Sequence, residues 1–175
     1  MDHADHVRLI QDGVVGAGTR WADLGAGEGA FTLALADLLG PEGSIVSVDR
    51  DRRALDVQAR RLHEAFPDAR VETLVADFTR PLDLPLLDGI VMANSLHFER
   101  DTLAVLGLVR GYLRPGGRLV IVEYDADEGN RWVPYPFSFL TWTALAADAG
   151  FGGTRKLTSV PSRFLGSIYS ALSIR

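Results

Sequence analysis

Two hydrophobic periodicities alternate along the chain, one typical of amphipathic helices and one typical of buried strands. Apolar residues predict helices over 2–15, 31–39, 52–66 and 139–149, and a helix capped by Asp101 with Leu103, Leu106, Val109 and Leu113 on its apolar face. Short apolar or β-branched runs predict strands over 21–24, 44–48, 71–75, 88–94, 118–123, 154–160 and 164–174. Strands that alternate with helices predict a doubly wound α/β fold, here followed by a closing hairpin.

A glycine-rich turn joins the first strand to the second helix. Gly25, Gly27 and Gly29 occupy alternate positions there, and glycine lets a backbone turn sharply and approach a ligand closely because it has no Cβ. The helix behind the turn offers free N–H groups and the positive end of its dipole. The turn is therefore predicted to bind a nucleotide-type ligand. A purely structural turn is the alternative, although so much glycine weakens local structure without a gain in packing.

The residues around the glycines favour one class of nucleotide ligand. The segment from Gly25 to Ala30 fits the loose dinucleotide pattern G-x-G-x-x-G/A. Asp23, before the first glycine, and Glu28, inside the turn, are carboxylates that suit a cationic amino group better than a pyrophosphate. The spacing Asp-x-Gly-x-Gly-x-Gly resembles the first motif of class I S-adenosylmethionine-dependent methyltransferases.

Two more carboxylates follow the next strands. Asp49 ends the second strand, where a carboxylate can accept hydrogen bonds from both hydroxyl groups of a ribose; its alternative role is the N-cap of the helix over 52–66. Asp77 and Phe78 end the third strand and suit adenine, because the carboxylate accepts from the exocyclic amine and the ring gives an apolar contact. This Asp-Phe pair resembles the adenine-binding motif of the same family and disfavours an NAD(P)-dependent oxidoreductase.

The resemblance covers roughly residues 18–123 by motif, including the run Leu-Arg-Pro-Gly-Gly-Arg-Leu-Val-Ile that begins at Leu113. It implies one methyltransferase domain over 1–175, with a mostly parallel seven-stranded sheet in the order 3-2-1-4-5-7-6. The seventh strand is then antiparallel, and helices cover both faces of the sheet.

The resemblance also implies a cofactor, S-adenosyl-L-methionine, and the residues that bind it. Asp23 would lie near its amino group, the glycine turn under its methionine part, and Asn94 or Ser95 beside that part. Arg50 stands where an apolar residue commonly covers the adenine, although its guanidinium plane could stack there. The predicted cofactor-binding residues are Asp23, Gly25, Ala26, Gly27, Gly29, Asp49, Arg50, Asp77, Phe78, Asn94 and Ser95.

The implied reaction moves a methyl group to an O, N or C nucleophile of a small-molecule acceptor and leaves S-adenosyl-L-homocysteine. A base is needed only if the acceptor must lose a proton. His97, after the fourth strand, is the first candidate, with packing as its alternative role; Tyr124 and Glu123, at the end of the fifth strand, come next. The fourth strand lacks an Asn-Pro-Pro-aromatic motif, which disfavours methylation of exocyclic or side-chain amides. A macromolecular acceptor, or a non-catalytic S-adenosylmethionine-binding partner protein, is the alternative.

Composition restricts the partners and the compartment. The 175 residues include no cysteine, which excludes disulfides, thiolate metal sites and a cysteine nucleophile. The net charge of −5 makes nucleic acid an unlikely partner. No apolar run approaches a membrane span and no leader precedes the first helix, so we expect a cytoplasmic protein without a membrane partner. His3 and His6 lack further ligands nearby, and we expect no metal site.

Two segments bear on the acceptor side. Residues 1–18 supply only a short helix before the glycine turn, so the acceptor is expected to be covered by residues 124–137, by a second subunit of a homodimer, or by nothing. The segment 124–137 is a long polar and aromatic loop, and loops of this length are often functional. Its acidic residues lack the order of a calcium loop, so Asp125, Asp127 and Glu128 are predicted to be a solvated acidic cluster.

Overall fold

The computed structural model describes all 175 residues and contains seven strands, five α-helices and one 3₁₀ turn over Leu96–Phe98. The strands are β1 (Arg20–Leu24), β2 (Ser44–Asp49), β3 (Arg70–Val75), β4 (Leu87–Ala93), β5 (Leu113–Tyr124), β6 (Gly152–Ser162) and β7 (Gly166–Ile174). The helices are α1 (His3–Val14), α2 (Ala30–Leu39), α3 (Arg52–Ala65), α4 (Thr102–Tyr112) and α5 (Phe139–Asp148).

All seven strands form one sheet in the order β3-β2-β1-β4-β5-β7-β6. β1 to β5 run parallel to one another, whereas β7 runs antiparallel to both β5 and β6. The sheet confirms the predicted strand order and the predicted antiparallel strand. Because β1 to β4 are parallel, their carboxyl ends lie along one edge of the sheet, where open α/β sheets place their ligands.

Two hydrophobic cores cover the two faces of the sheet. On one face, α1, α2 and α3 pack over alternate strand residues that include Trp21 and Val120. On the other face, α4 and α5 pack over the intervening residues, such as Ile90 and Ile121. The segment between β3 and β4 contains no helix; its Leu82 and Leu84 pack against the second core, and the N–H of Leu82 donates to the Tyr112 hydroxyl at 2.8 Å.

The structure corrects the apolar face predicted for α4. Leu103 is 43% exposed, and Leu113 lies in β5 rather than in the helix. The Asp101 side chain accepts a hydrogen bond from Ala104 N and fixes the start of the helix, so that Thr102, Val105, Leu106 and Val109 face inward. Helical spacing alone therefore does not put Leu103 on the buried side of the helix.

Several strand boundaries also differ from the sequence expectations. β4 ends at Ala93 because the next residue, Asn94, adopts a positive φ of 51° and leaves the extended conformation. The closing hairpin has a longer first strand than expected, and β7 begins at Gly166, whose φ is 74°. None of the five helices is both long enough and apolar enough to cross a membrane.

The loop over 124–137 is held in place by two of its acidic residues: Asp127 and Glu128 are exposed and Asp125 is partly exposed, but Asp125 and Asp127 also hydrogen-bond within the chain. Asp127 accepts hydrogen bonds from Ser138 N at 2.9 Å and from Thr141 Oγ1 at 2.7 Å, at the start of α5. Asp125 accepts from Phe139 N at 2.9 Å and from Lys156 Nζ at 2.8 Å. Exposed carboxylates at a helix N-terminus satisfy N–H groups that the helix leaves free.

Candidate functional site

A cavity of about 290 Å³ opens at the carboxyl edge of the sheet. Eight of the eleven predicted cofactor-binding residues line it. The remaining three, Asp23, Ala26 and Gly29, do not reach its wall. Its lining consists of Gly25, Gly27, Asp49, Arg50, Ala76, Asp77, Phe78, Asn94, Ser95, Phe98 and Glu99.

Two glycines of the turn are required for different reasons. At Gly25, where φ is 82°, a Cβ would lie 2.5 Å from the Cβ of Ser95, so no larger residue fits. At Gly27, where φ is 53°, a Cβ would meet no atom of the chain within 4 Å. Packing therefore fixes Gly25, whereas the free space at Gly27 allows a ligand to approach the backbone closely.

Asp49 joins the glycine turn to the second strand. Its Oδ2 accepts a hydrogen bond from Gly27 N at 2.7 Å, and its Oδ1 accepts from Asp51 N at 2.8 Å. The N-cap of α3 is Asp51, which accepts from Arg53 N at 2.8 Å, so the capping role considered for Asp49 is wrong. A carboxylate has about four acceptor sites, which leaves Asp49 able to accept further hydrogen bonds from the cavity.

Asp23 lies behind the turn, where it is 1% exposed. Its Oδ2 accepts a hydrogen bond from Thr32 Oγ1 at 2.6 Å. Burial raises the pKa of Asp23 from 3.8 to about 7, and the nearby charge of Asp49 acts in the same direction. This carboxyl group can therefore change its charge near neutral pH.

Asp77 and Phe78 form the wall at the end of β3. The side chain and backbone of Thr79 donate to Asp77 Oδ1 at 2.7 and 3.0 Å, and these bonds lower the pKa of Asp77. Positive charges on Arg80 and Arg50 also favour the ionised form. The wall thus offers a carboxylate acceptor directly beside an aromatic ring, which together suit a flat, amine-bearing heterocycle.

The end of β4 carries an unpaired acceptor. Asn94 has a positive φ of 51°, which is uncommon for a residue other than glycine, and its Oδ1 is buried without a hydrogen-bond partner. Its neighbour Ser95 donates to Leu24 O at 2.9 Å and is therefore satisfied within the chain. Because buried polar atoms are normally paired, the unpaired Oδ1 indicates a donor that the chain itself does not supply.

The two candidate bases lie next to the cavity but do not line it. His97 is 2% exposed, and its Nδ1 lies 2.6 Å from Oε2 of the fully buried Glu123. The His97 ring packs against Phe98, at 4.3 Å between centroids, and against Tyr124 at 5.7 Å. Burial, together with the charge of Glu123, raises the pKa of Tyr124.

Sequence reasoning missed four features of the site. Ala76, Phe98 and Glu99 line the cavity, and Glu123 pairs with His97 rather than facing an acceptor. A signal for the pair was present, since His97 follows β4, Glu123 lies at the carboxyl end of the neighbouring β5, and a buried carboxylate is rarely unpaired. His3 and His6, considered as a metal pair, instead contact Asp37 and the ring of Phe31, respectively. No cluster of three or more ligating side chains suited to a metal is present.

Comparison with known proteins adds independent information. A family model described as a methyltransferase domain matches residues 16–144. The ubiquinone/menaquinone biosynthesis C-methyltransferase UbiE of Coxiella burnetii is 31% identical over 109 residues, which are 62% of this chain and 44% of that protein. An uncharacterized 37.1 kDa protein in transposon TN4556 of Streptomyces fradiae is 36% identical over 105 residues, which are 60% and 30% of the two chains. The chain matches less than half the length of these relatives.

Solved structures share the fold. The YcgJ protein of Bacillus subtilis has a TM-score of 0.78 at 14% identity, covering 99% of both chains. A SAM-dependent methyltransferase of Aquifex aeolicus has a TM-score of 0.72 at 18% identity, covering 99% and 98%. The 1,6-didemethyltoxoflavin-N1-methyltransferase of Burkholderia thailandensis, solved with 1,6-didemethyltoxoflavin and S-adenosylhomocysteine, has a TM-score of 0.75 at 17% identity, covering 97% and 78%.

Proposed function

The chain belongs to the class I S-adenosylmethionine-dependent methyltransferases, and from this premise we propose that it methylates a small-molecule acceptor. S-adenosylmethionine, when bound, supplies an electrophilic methyl group on a positively charged sulfur. The chain then has to bind this cofactor, orient the acceptor and exclude water, because positioning supplies much of the acceleration in such a transfer.

One observation carries the proposal: a single cavity brings together partners for each part of the cofactor. Asp49 offers acceptors for a ribose diol, and Asp77 with Phe78 offers an acceptor and a ring for adenine. The unpaired Oδ1 of Asn94 suits a donor such as an ammonium group, and the open space at Gly27 admits a ligand against the backbone. The donor and acceptor chemistry of this wall therefore fits S-adenosylmethionine.

The predicted residues outside the wall have supporting roles in this proposal. Ala26 and Gly29 shape the turn, since Ala26 N donates to Val48 O at 3.0 Å and Gly29 is the N-cap of α2. Asp23 places a titratable charge behind the turn, where it favours a cationic amino group in the cavity. Arg50 and Ser95 complete the wall at the adenine and methionine ends, respectively.

The acceptor side is proposed to lie between the cavity and the loop 124–137. Tyr135 N donates to His97 O at 3.0 Å, which joins the loop to the 3₁₀ turn beside the cavity. His97 and Tyr124 are the proposed proton-exchanging groups on this side. The names of two similar proteins, a biosynthetic C-methyltransferase and a didemethyltoxoflavin N-methyltransferase, support a small acceptor for this chain as well.

Calorimetric titration with S-adenosylmethionine and S-adenosylhomocysteine, with NADH and NADPH as negative controls, tests cofactor binding. Asp49→Asn should weaken binding of both S-adenosylmethionine and S-adenosylhomocysteine roughly 10- to 100-fold, because hydrogen bonds to a charged group contribute about 1.5–3 kcal/mol. Asp51→Asn is the matched control, since it makes the same change two residues away, outside the cavity, and Asn also caps helices well. Equal losses in both variants, or tight binding of a nicotinamide cofactor, would refute the proposal.

A macromolecular acceptor is the second candidate. Exposed aromatic rings on this side of the chain favour it: Phe98, Tyr135 and Trp132 are 50%, 45% and 67% exposed. Transfer of a tritiated methyl group into a fractionated cell extract separates the two candidates, since label should enter the low-molecular-weight fraction rather than protein or RNA. A non-catalytic cofactor-binding partner would label neither fraction.

We further propose a cytoplasmic location and a homodimer, and the net charge of −5 argues against a nucleic-acid partner.

A further inference from the structure

His97 and Glu123 form the one close pair of a basic and an acidic side chain in which both are buried, at 3% and 0% exposure. A buried carboxylate and imidazole cost several kcal/mol of desolvation, which their attraction offsets only with good geometry. Apolar residues at the two positions would fill the same space without that cost. The pair therefore indicates a role beyond packing, and its position beside the cavity indicates where that role is exercised.

Hydrogen bonds fix the orientation of both partners. Glu123 Oε1 accepts from Leu96 N at 3.0 Å and from His97 N at 3.4 Å. Glu123 Oε2 lies 2.6 Å from Nδ1 of His97. Because Glu123 already accepts from two backbone N–H groups, we assign it as the acceptor for the His97 ring as well. Nδ1, the ring nitrogen beside Oε2, therefore carries a proton. In a neutral imidazole the lone pair then lies on Nε2.

The surroundings of Nε2 make it available. Nε2 makes no hydrogen bond within the chain. It is not fully buried, so a group outside the chain can reach it. The ring packs against Phe98, which lines the cavity, and against Tyr124. The backbone oxygen of His97 accepts from Tyr135 N in the loop 124–137. Phe98 is half exposed, contacts the His97 ring and lines the cavity, so we expect movement of its side chain to give Nε2 access to the cavity.

We infer that Glu123 is a positioning residue that fixes the orientation of the His97 ring and the tautomer with the proton on Nδ1, and that Nε2 accepts a proton from the methyl acceptor. The inference rests on the proposed function and narrows the acceptor to a group that must lose a proton, namely a hydroxyl group or a carbon acid. As the acceptor oxygen or carbon bonds to the methyl carbon, its proton passes to Nε2 and the C–S bonding pair stays on sulfur. His97 then releases the proton to solvent.

Long-range ¹H–¹⁵N NMR spectra of the ¹⁵N-labelled protein, saturated with S-adenosylhomocysteine, test the inference without any acceptor. Signals of His97 are assigned by their loss in His97→Gln. At neutral pH we expect Nδ1 to carry the proton and Nε2 to be bare. An imidazolium, which a purely structural ion pair predicts, or a proton on Nε2 alone, would overturn the inference.

Glu123→Gln separates positioning from folding. Gln keeps the size and one acceptor oxygen but not the charge, so His97 should lose its single tautomer while S-adenosylhomocysteine still binds. If His97 keeps the same tautomer in this variant, Glu123 does not position it. If the variant fails to fold, the tautomer in the wild-type protein still decides the inference. Absent binding of S-adenosylhomocysteine to wild type would instead refute the proposed function.

A pair of probes tests the acceptor class. Transfer of a tritiated methyl group to 2-naphthol is compared with transfer to 2-naphthylamine, because both are flat and only the hydroxyl group needs a base before attack. We expect wild type to methylate the naphthol and His97→Gln to lower kcat about 100-fold, with little change in KM. Methylation of the amine but not of the naphthol would contradict the inference. Because the tautomer measurement needs no acceptor, it decides the inference even if neither probe is methylated.

Discussion

Burial of Asp23 should make the stability of this chain fall as the pH rises towards neutrality. The pKa of Asp23 is raised from 3.8 to about 7, so the folded chain holds a proton that the unfolded chain has released. A folded-state pKa above the unfolded value gives stability that is complete below about pH 4 and is lost as pH rises through about pH 7. At about 1.36 kcal/mol per pKa unit, the full effect corresponds to about 4 kcal/mol.

Asp23→Asn isolates this effect. Asn keeps an acceptor for Thr32 Oγ1 but cannot ionise, so the difference in the free energy of unfolding between variant and wild type reports the carboxyl group alone. Urea denaturation should show that this difference shifts in favour of the Asp23→Asn variant by about 3 kcal/mol between about pH 5 and pH 8, because only the wild type loses stability there.

The control for this experiment is Asp77→Asn. The pKa of Asp77 is lowered by its hydrogen bonds to Thr79, so Asp77 titrates below the tested pH range. The difference in the free energy of unfolding between Asp77→Asn and wild type should therefore not change with pH. The reasoning is refuted if the free energy of unfolding of Asp23→Asn, relative to wild type, stays constant to within about 0.5 kcal/mol over the same pH range. It would mean that water or a rearranged side chain solvates the carboxylate in the folded chain.

Gly25→Ala should lower the free energy of unfolding by about 2–3 kcal/mol, because its Cβ would collide with Ser95, whereas Gly27→Ala should cost only about 1 kcal/mol for its positive φ. Calorimetry should nevertheless show that Gly27→Ala weakens S-adenosylhomocysteine about 10-fold or more, since the methyl group enters the cavity; unchanged affinity would contradict this. Asp127→Ala should lose about 1 kcal/mol of stability at neutral pH, because Ser138 N loses its acceptor. The pKa of Asp127 is lowered, so that stabilisation is present above about pH 4 and disappears as pH falls through the folded-state value; thermal unfolding that shows the same loss at acidic pH would argue against it.

The parts of the fold that could be predicted are those set by local sequence. The glycine turn, the β-branched strands and the carboxylates at the strand ends each have a short-range signal, and parallel strands bring such ends to one edge. Asp49, Asp77 and Asn94 therefore meet in one cavity although 45 residues separate the first from the last. The strand order itself came from a family resemblance and was confirmed by the sheet.

The features that could not be predicted depend on tertiary contacts. His97 and Glu123 are 26 residues apart, and only the pairing of β4 with β5 brings their side chains together. Asp51 rather than Asp49 caps α3, which depends on where the helix begins and not on residue type. Leu103 satisfies a helical period yet faces solvent, because the rotation of α4 about its axis is set by packing on the sheet.

The position of β7 between β5 and β6 has a consequence for folding during synthesis on the ribosome. β5 contains the fully buried run Leu119–Val122, and one of its two edges pairs only with β7, which follows β6 in the chain. A nascent chain that ends before Gly166 therefore presents an apolar strand with an open edge, the kind of surface that recruits other chains. Until β7 inserts, β6 has no partner either, so the last strand completes two pairings at once. We therefore expect a chain truncated before Gly166 to aggregate more readily than the chain that contains β7.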